Sequence, residues 1–177
     1  NLGALVARMI SKEADIPAYI YDAVSVDELS DLARLSGVKE YPRRSFSHAL
    51  NTRAVAMKYC EDKGLDYYNS SIIVAHLGGG ISMNFQKNGH LVDISSSDEG
   101  PFSTNRAGFL PIYSCITIAD KGGAQALQRY EDSTGGLISY LNTNDAREVE
   151  KMIEEGNEEA LMVYKAMAYQ IAKTIGS

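Results

Sequence analysis

A β-branched run that ends in a histidine and three consecutive glycines, Val74-Ala75-His76-Leu77-Gly78-Gly79-Gly80-Ile81-Ser82, constrains this chain more than any other stretch. Residues 71–75 have the composition of a strand. Glycine has no Cβ, so the backbone can turn tightly there and come close to a charged group. A row of exposed backbone N–H groups at such a turn can cradle an anion. Residues 81–86 read as a second strand and 91–95 as a third, joined by an Asn88-Gly89 hairpin signal. The unit is therefore an antiparallel hairpin system whose glycine end is suited to grip a phosphate without a helix.

Periodicity places the rest. Residues 2–14 read as a helix with Leu2, Leu5, Val6, Met9 and Ile10 on one stripe, stopped by Asp15-Ile16-Pro17. Ala18-Tyr19-Ile20-Tyr21 reads as a short buried strand ending at Asp22. Residues 26–35 read as a second helix stopped by Ser36-Gly37, and 46–62 as a third, with Ser45 as N-cap and Gly64 as the C-terminal stop. Residues 96–111 are irregular. Beyond them helices are expected over 112–119, 124–131, 136–141, 146–155 and 158–175. Helices, then a hairpin unit, then helices again give a mixed α/β architecture, without the strand-helix alternation of a dinucleotide-binding fold.

Composition narrows the function classes. The formal net charge of −6 argues against general nucleic-acid attraction. Cys60 and Cys115 lie far apart, fit no disulfide framework or metal spacing, and read as buried reduced thiols. No apolar run is long enough to span a bilayer and no leader pattern is present, so a cytoplasmic location is expected, with no membrane partner. The ends look cut, which makes the chain read as a piece of a longer protein.

Several motifs then occur in a fixed order. The His76-to-Ser82 stretch is followed by Lys87-Asn88-Gly89, Val92-Asp93, Glu99-Gly100-Pro101-Phe102-Ser103, Arg106-Ala107-Gly108 and Leu110-Pro111, then by Asn142-Thr143-Asn144-Asp145-Ala146-Arg147-Glu148 and Ala166-Met167-Ala168-Tyr169-Gln170. In this order they resemble the acetate/butyrate family of short-chain carboxylate kinases over nearly the whole chain, with Gly79 and the Glu99–Ser103 run nearest its butyrate branch. The resemblance implies part of the two-lobed RNase H-like fold shared by sugar kinases, heat-shock ATPases and actin. Residues 1–66 would be the end of the first lobe with connecting helices, and 67–177 the first part of the second, nucleotide-binding lobe. An Asn-Pro-Gly-Ser-type phosphate loop before the segment and a Gly-Gly segment after it would complete the cleft. It further implies reversible phosphate transfer between ATP and a short fatty acid such as butanoate, with ADP and an acyl phosphate as products, Mg²⁺ accompanying the nucleotide, and a homodimer or higher homo-oligomer.

Phosphoryl transfer asks for positioning and for charge stabilisation on the equatorial oxygens. By the resemblance, His76 hydrogen-bonds the moving phosphoryl group, and Arg106 neutralises that group or the substrate carboxylate. Asp22 helps hold Mg²⁺, through water. Gly78, Gly79 and Gly80 face the nucleotide phosphates, and Asn144, Asp145, Ala146 and Arg147 lie beside the adenosine. Each has a plainer reading: a hydrogen-bonded core histidine, an arginine paired with Asp98 or Glu99, an N-cap at Asp22, a tight glycine turn, and an N-cap at Asn144 with Asp145 favouring the helix dipole. His48 and His90 have no partners at ligand spacing and receive no role. Residues 94–99 form a slightly shorter loop than the family's, a departure that bears on geometry near Arg106. Two further readings stand beside the kinase: a non-catalytic nucleotide-binding or dimerisation module, and a kinase of acetate, propionate or a branched acid.

Overall fold

Polar residues at every second position of one strand, Ser82, Asn84 and Gln86, organise the first half of the molecule. In the computed structural model, which describes residues 2–177, they lie on β2 (Ile81–Lys87), the middle strand of an antiparallel sheet. Its neighbours are β1 (Ser71–Leu77) and β3 (His90–Ser95). All three polar residues are buried, so each needs a partner. Ser82 bonds the His48 ring (2.9 Å), Asn84 accepts from Ser47 Oγ (2.9 Å), and Gln86 donates to the Thr52 carbonyl (3.0 Å) and accepts from Tyr67 (2.8 Å). These bonds stitch β2 to the segment entering α3 (Ala49–Lys63).

The same face of β1 completes the layer. Ile72 and Val74 pack against Ala56 and Cys60 of α3 and against Tyr67. His76 follows them at period two and is paired in register with Ser82. The α3 positions 49, 52, 53, 56 and 60 are its buried stripe, and Gly64, in the left-handed region at φ 66°, ends it as expected. The other buried cluster lies in the carboxy-terminal helices. Leu137 and Leu141 of α5 (Gly136–Leu141), Val149 of α6 (Ala146–Glu154), and Ala160 and Val163 of α7 (Glu158–Ile175) pack together with Phe102 against them.

Several expectations are corrected. Ala18–Tyr21 is not a strand; Tyr19 and Tyr21 are exposed, and no strand among the described residues pairs with it. The second helix shrinks to α2 (Asp31–Arg34), because Glu28 reaches the Leu91 N–H and Ser30 N–H donates to the Val92 carbonyl, drawing this backbone to the edge of β3. The third helix begins at Ala49 with His48 at the N-cap, while Ser45 donates to the Val26 carbonyl. The pair 112–119 and 124–131 becomes α4 (Ile112–Arg129), broken at Gly123, and Tyr130–Thr134 form a π turn that takes Glu131 out of the helix. Cys60 is buried as expected, whereas Cys115 is only partly so. The α1 helix (Leu2–Ala14) forms, with none of its residues buried.

Candidate functional site

The glycine run explains itself by what a side chain there would strike. None of Gly78, Gly79 and Gly80 has a positive φ, so backbone handedness does not require them. Close approach does. A Cβ on Gly78 would lie 3.1 Å from His76 Nε2, one on Gly79 3.0 Å from Asn105 Oδ1, and one on Gly80 2.6 Å from Arg106 Nη1. Each glycine thus leaves room for one polar side chain of the same small volume.

Ser103 locks this arrangement. Fully buried, it donates through Oγ to the Gly79 carbonyl (2.6 Å) and accepts from the Arg106 N–H (3.1 Å). Its backbone is held in turn, since Leu137 N–H at the start of α5 donates to the Ser103 carbonyl (3.1 Å). Arg106 Nη1 donates to Ser97 Oγ (3.1 Å), while its Nε is buried without a partner. The plain alternative of an ion pair with Glu99 is not what forms: Glu99 pairs with Arg43 at 2.9 Å.

Facing Arg106 are two stacked histidines. The rings of His48 and His76 lie 3.7 Å apart and 6° from parallel. His76 Nδ1 meets Asn51 Oδ1 at 3.1 Å; with the amide oxygen as acceptor Nδ1 carries a proton, so Nε2 donates to an anion in the doubly protonated imidazolium form. Burial first, and then the cationic surroundings of His76 and Arg106, push the His48 imidazole below its ordinary pKa. His48 is the functional candidate that sequence reasoning missed. Its partner Ser82 is 34 residues away, and the only local signal is that His48 and Asn51 share a helix face at i, i+3.

Gly78, Gly79, Thr104 and Asn105 form one side of a cleft of about 680 Å³ whose other side is Asn144, Asp145 and Ala146, with Tyr164, Met167 and Ile171 of α7 in its wall. The structure therefore brings the glycine loop and the start of α6 together across one space. Asn144 is not the N-cap; that role belongs to Asp145, which accepts from the Arg147 N–H (2.9 Å). The Arg147 guanidinium also grips the Asp145 carboxyl and holds it well down, at about 2.

Asp22 is not brought to this cluster. It is buried against Arg53 (2.8 Å), whose guanidinium also binds Glu28 (2.9 Å) and the Gly89 carbonyl (2.6 Å) at the opposite end of the hairpin from the glycines. Among the described residues no group of three or more His, Cys, Asp or Glu is arranged to hold a metal. The Asp22 carboxylate is thus committed to Arg53.

This sheet, with α3 packed on one face and a histidine-arginine cluster at its glycine end, defines a class. The fold is that of the acetate and propionate kinases. It superposes on Porphyromonas gingivalis acetate kinase with a TM-score of 0.86 at 26% identity, covering 99% of this chain and 47% of that one. A propionate kinase from Francisella tularensis gives 0.82 at 17% identity, covering 96% and 47%, a likeness of fold alone. These likenesses carry the expected α/β architecture of the two-lobed superfamily. Residues 18–177 match the Acetokinase family, and the chain belongs to it. It is 45% identical over 180 residues to a probable butyrate kinase of Clostridium botulinum and 44% identical over 179 to a probable butyrate kinase 2 of Caldanaerobacter subterraneus, in each case over 99% of this chain and 51% of the relative. The chain thus spans about half the length of these relatives. No helix among the described residues is long and apolar enough to cross a membrane.

Proposed function

We propose that the whole protein transfers a phosphoryl group reversibly between ATP and a short-chain carboxylate, with butanoate as the preferred acid. The observation that carries this reading is the shared cleft: its glycine end abuts His76 and Arg106, and its far wall is the Asn144–Ala146 turn. The nucleotide lies along it with its phosphates toward Gly78–Gly80 and its adenosine toward residues 144–147. His76 Nε2 and the Arg106 guanidinium then face the group in flight from two sides, and the buried Arg106 Nε gains the partner it lacks. A planar fork matches a phosphoryl or carboxylate anion through paired bonds, and donors already in place need no reorganisation as charge develops.

The preference for butanoate rests on likeness to relatives named probable butyrate kinases. The test is acyl-phosphate formation by the full-length protein from ATP with acetate, propionate, butanoate and isobutanoate in parallel. Butanoate is expected to give the highest kcat/KM, and His76→Ala to lower kcat by about 10²–10³-fold, the usual cost of one such donor. An unchanged His76→Ala rate removes His76 from the mechanism; a different best acid overturns the substrate assignment while leaving the reaction class.

A further inference from the structure

Behind the Arg106 loop lies a second acidic group that the site described above does not use. The π turn Tyr130–Thr134 backs the loop directly: Ala107 N–H donates to the Tyr130 carbonyl (3.0 Å), and the Gly108 N–H favours the ionised Glu131 carboxyl. Glu131 Oε1 is buried without a hydrogen-bond partner, and so is Arg106 Nε. Two unpaired, buried polar atoms of opposite preference on adjoining backbone are costly to leave so, and single π turns recur where a side chain must be re-aimed for function. The charged groups facing Glu131 are Asp98 and Arg106 from the loop and Asp132 from its own turn. Asp98 is itself tied to Ser96, in the segment after β3 that also supplies Ser97 to Arg106.

We propose that Glu131 is a positioning residue for Arg106: its carboxyl, lodged in the π turn behind the loop, sets how much of the guanidinium's charge is offered to an anion in the site. This rests on the kinase reading of Arg106 as an anion ligand. With Glu131 neutral, the guanidinium is uncompensated and binds the anion fully. With Glu131 ionised, the carboxylate competes with the anion for the same charge. Burial, and then Asp98, push this carboxyl up to about 7, with Arg106 pulling the other way, so the exchange falls in the neutral range. Linkage makes it reciprocal: an anion on Arg106 holds the proton on Glu131.

The test uses sulfate, an anion that does not titrate near neutrality, bound to the full-length protein and measured by calorimetry between pH 6 and pH 8. Histidine titration over this range is common to wild type and Glu131→Gln, so the difference between their profiles isolates Glu131. The two are expected to bind alike at pH 6. At pH 8 Glu131→Gln is expected to bind at least about fivefold tighter, the lower end of what one charge does at this range, and the gain should vanish in an Arg106→Gln background. Equal affinities at pH 8, or a gain that persists without Arg106, overturn the proposal. Should Glu131→Gln not fold, Asp98→Asn is expected to move the wild-type midpoint of sulfate weakening to lower pH, and an unmoved midpoint overturns the proposal equally. Sulfate binding requires no turnover. Coupling in a protein that forms no acyl phosphate defeats the kinase reading alone; absent coupling in an active enzyme defeats this inference alone.

Discussion

Gly80→Ala tests the close approach of Arg106 to the glycine run. The added methyl would lie 2.6 Å from Arg106 Nη1 and 3.1 Å from Cζ, whereas ordinary contact begins at 3.4 Å. The guanidinium must therefore retreat by about 0.8 Å, which also breaks its 3.1 Å bond to Ser97. Displacements of about 1 Å in a positioned group cost ~10²-fold in rate, so kcat/KM is expected to fall roughly 30–100-fold, or about 2–2.7 kcal/mol at 1.36 kcal/mol per decade. Stability should barely respond. The group that moves is the end of a flexible side chain, the lost hydrogen bond is worth about 1 kcal/mol, and an alanine at a φ it can adopt returns about 0.4–1 kcal/mol through the unfolded chain. The assay is acyl-phosphate formation trapped as the hydroxamate, with thermal melting in parallel. A Gly80→Ala enzyme within twofold of wild type, or one whose loss of rate is matched by a loss of stability, refutes the close-approach argument.

Two further outcomes follow from packing and charge. Leu137 is fully buried at the centre of the carboxy-terminal cluster, so Leu137→Ala is expected to lower stability by about 2–5 kcal/mol, read as a shift in the denaturant midpoint at unchanged m; a shift below ~1 kcal/mol contradicts that placement. Glu131 is a carboxyl whose folded pKa, about 7, lies above its ordinary 4.5. The native state therefore holds the proton more tightly, and the stability this adds is full below pH 4.5 and lost as pH rises through 7. Glu131→Gln should melt above wild type at pH 8 and lose that advantage near pH 4.5; parallel curves contradict it.

The chain by itself determined its local elements where one segment carries the whole signal. The hairpin strands, the Gly64 stop and the extent of α7 were readable because period two, period 3.6 and a left-handed glycine are properties of neighbouring residues. The place of His76 at the polar end of a β-branched run was readable for the same reason, whereas the role proposed for it came from the family resemblance. The start of α6 was readable to within one residue. Asp145 takes the cap because its carboxylate accepts the Arg147 N–H, which leaves Asn144 to line the cleft. What only the tertiary structure decided involves partners distant in the chain. His48 has no sequence signature, because its meaning lies in a ring stacked on it from β1 and a hydroxyl on β2. Asp22 read as the end of a buried strand, but strands exist only with a ladder partner, and Arg53 claims the carboxylate instead. The glycines read as an anion cradle; three-dimensional packing adds that each also makes room for His76, Asn105 or Arg106. Local propensity writes backbone direction into the sequence, while the convergence of side chains depends on contacts that chain folding alone brings within range.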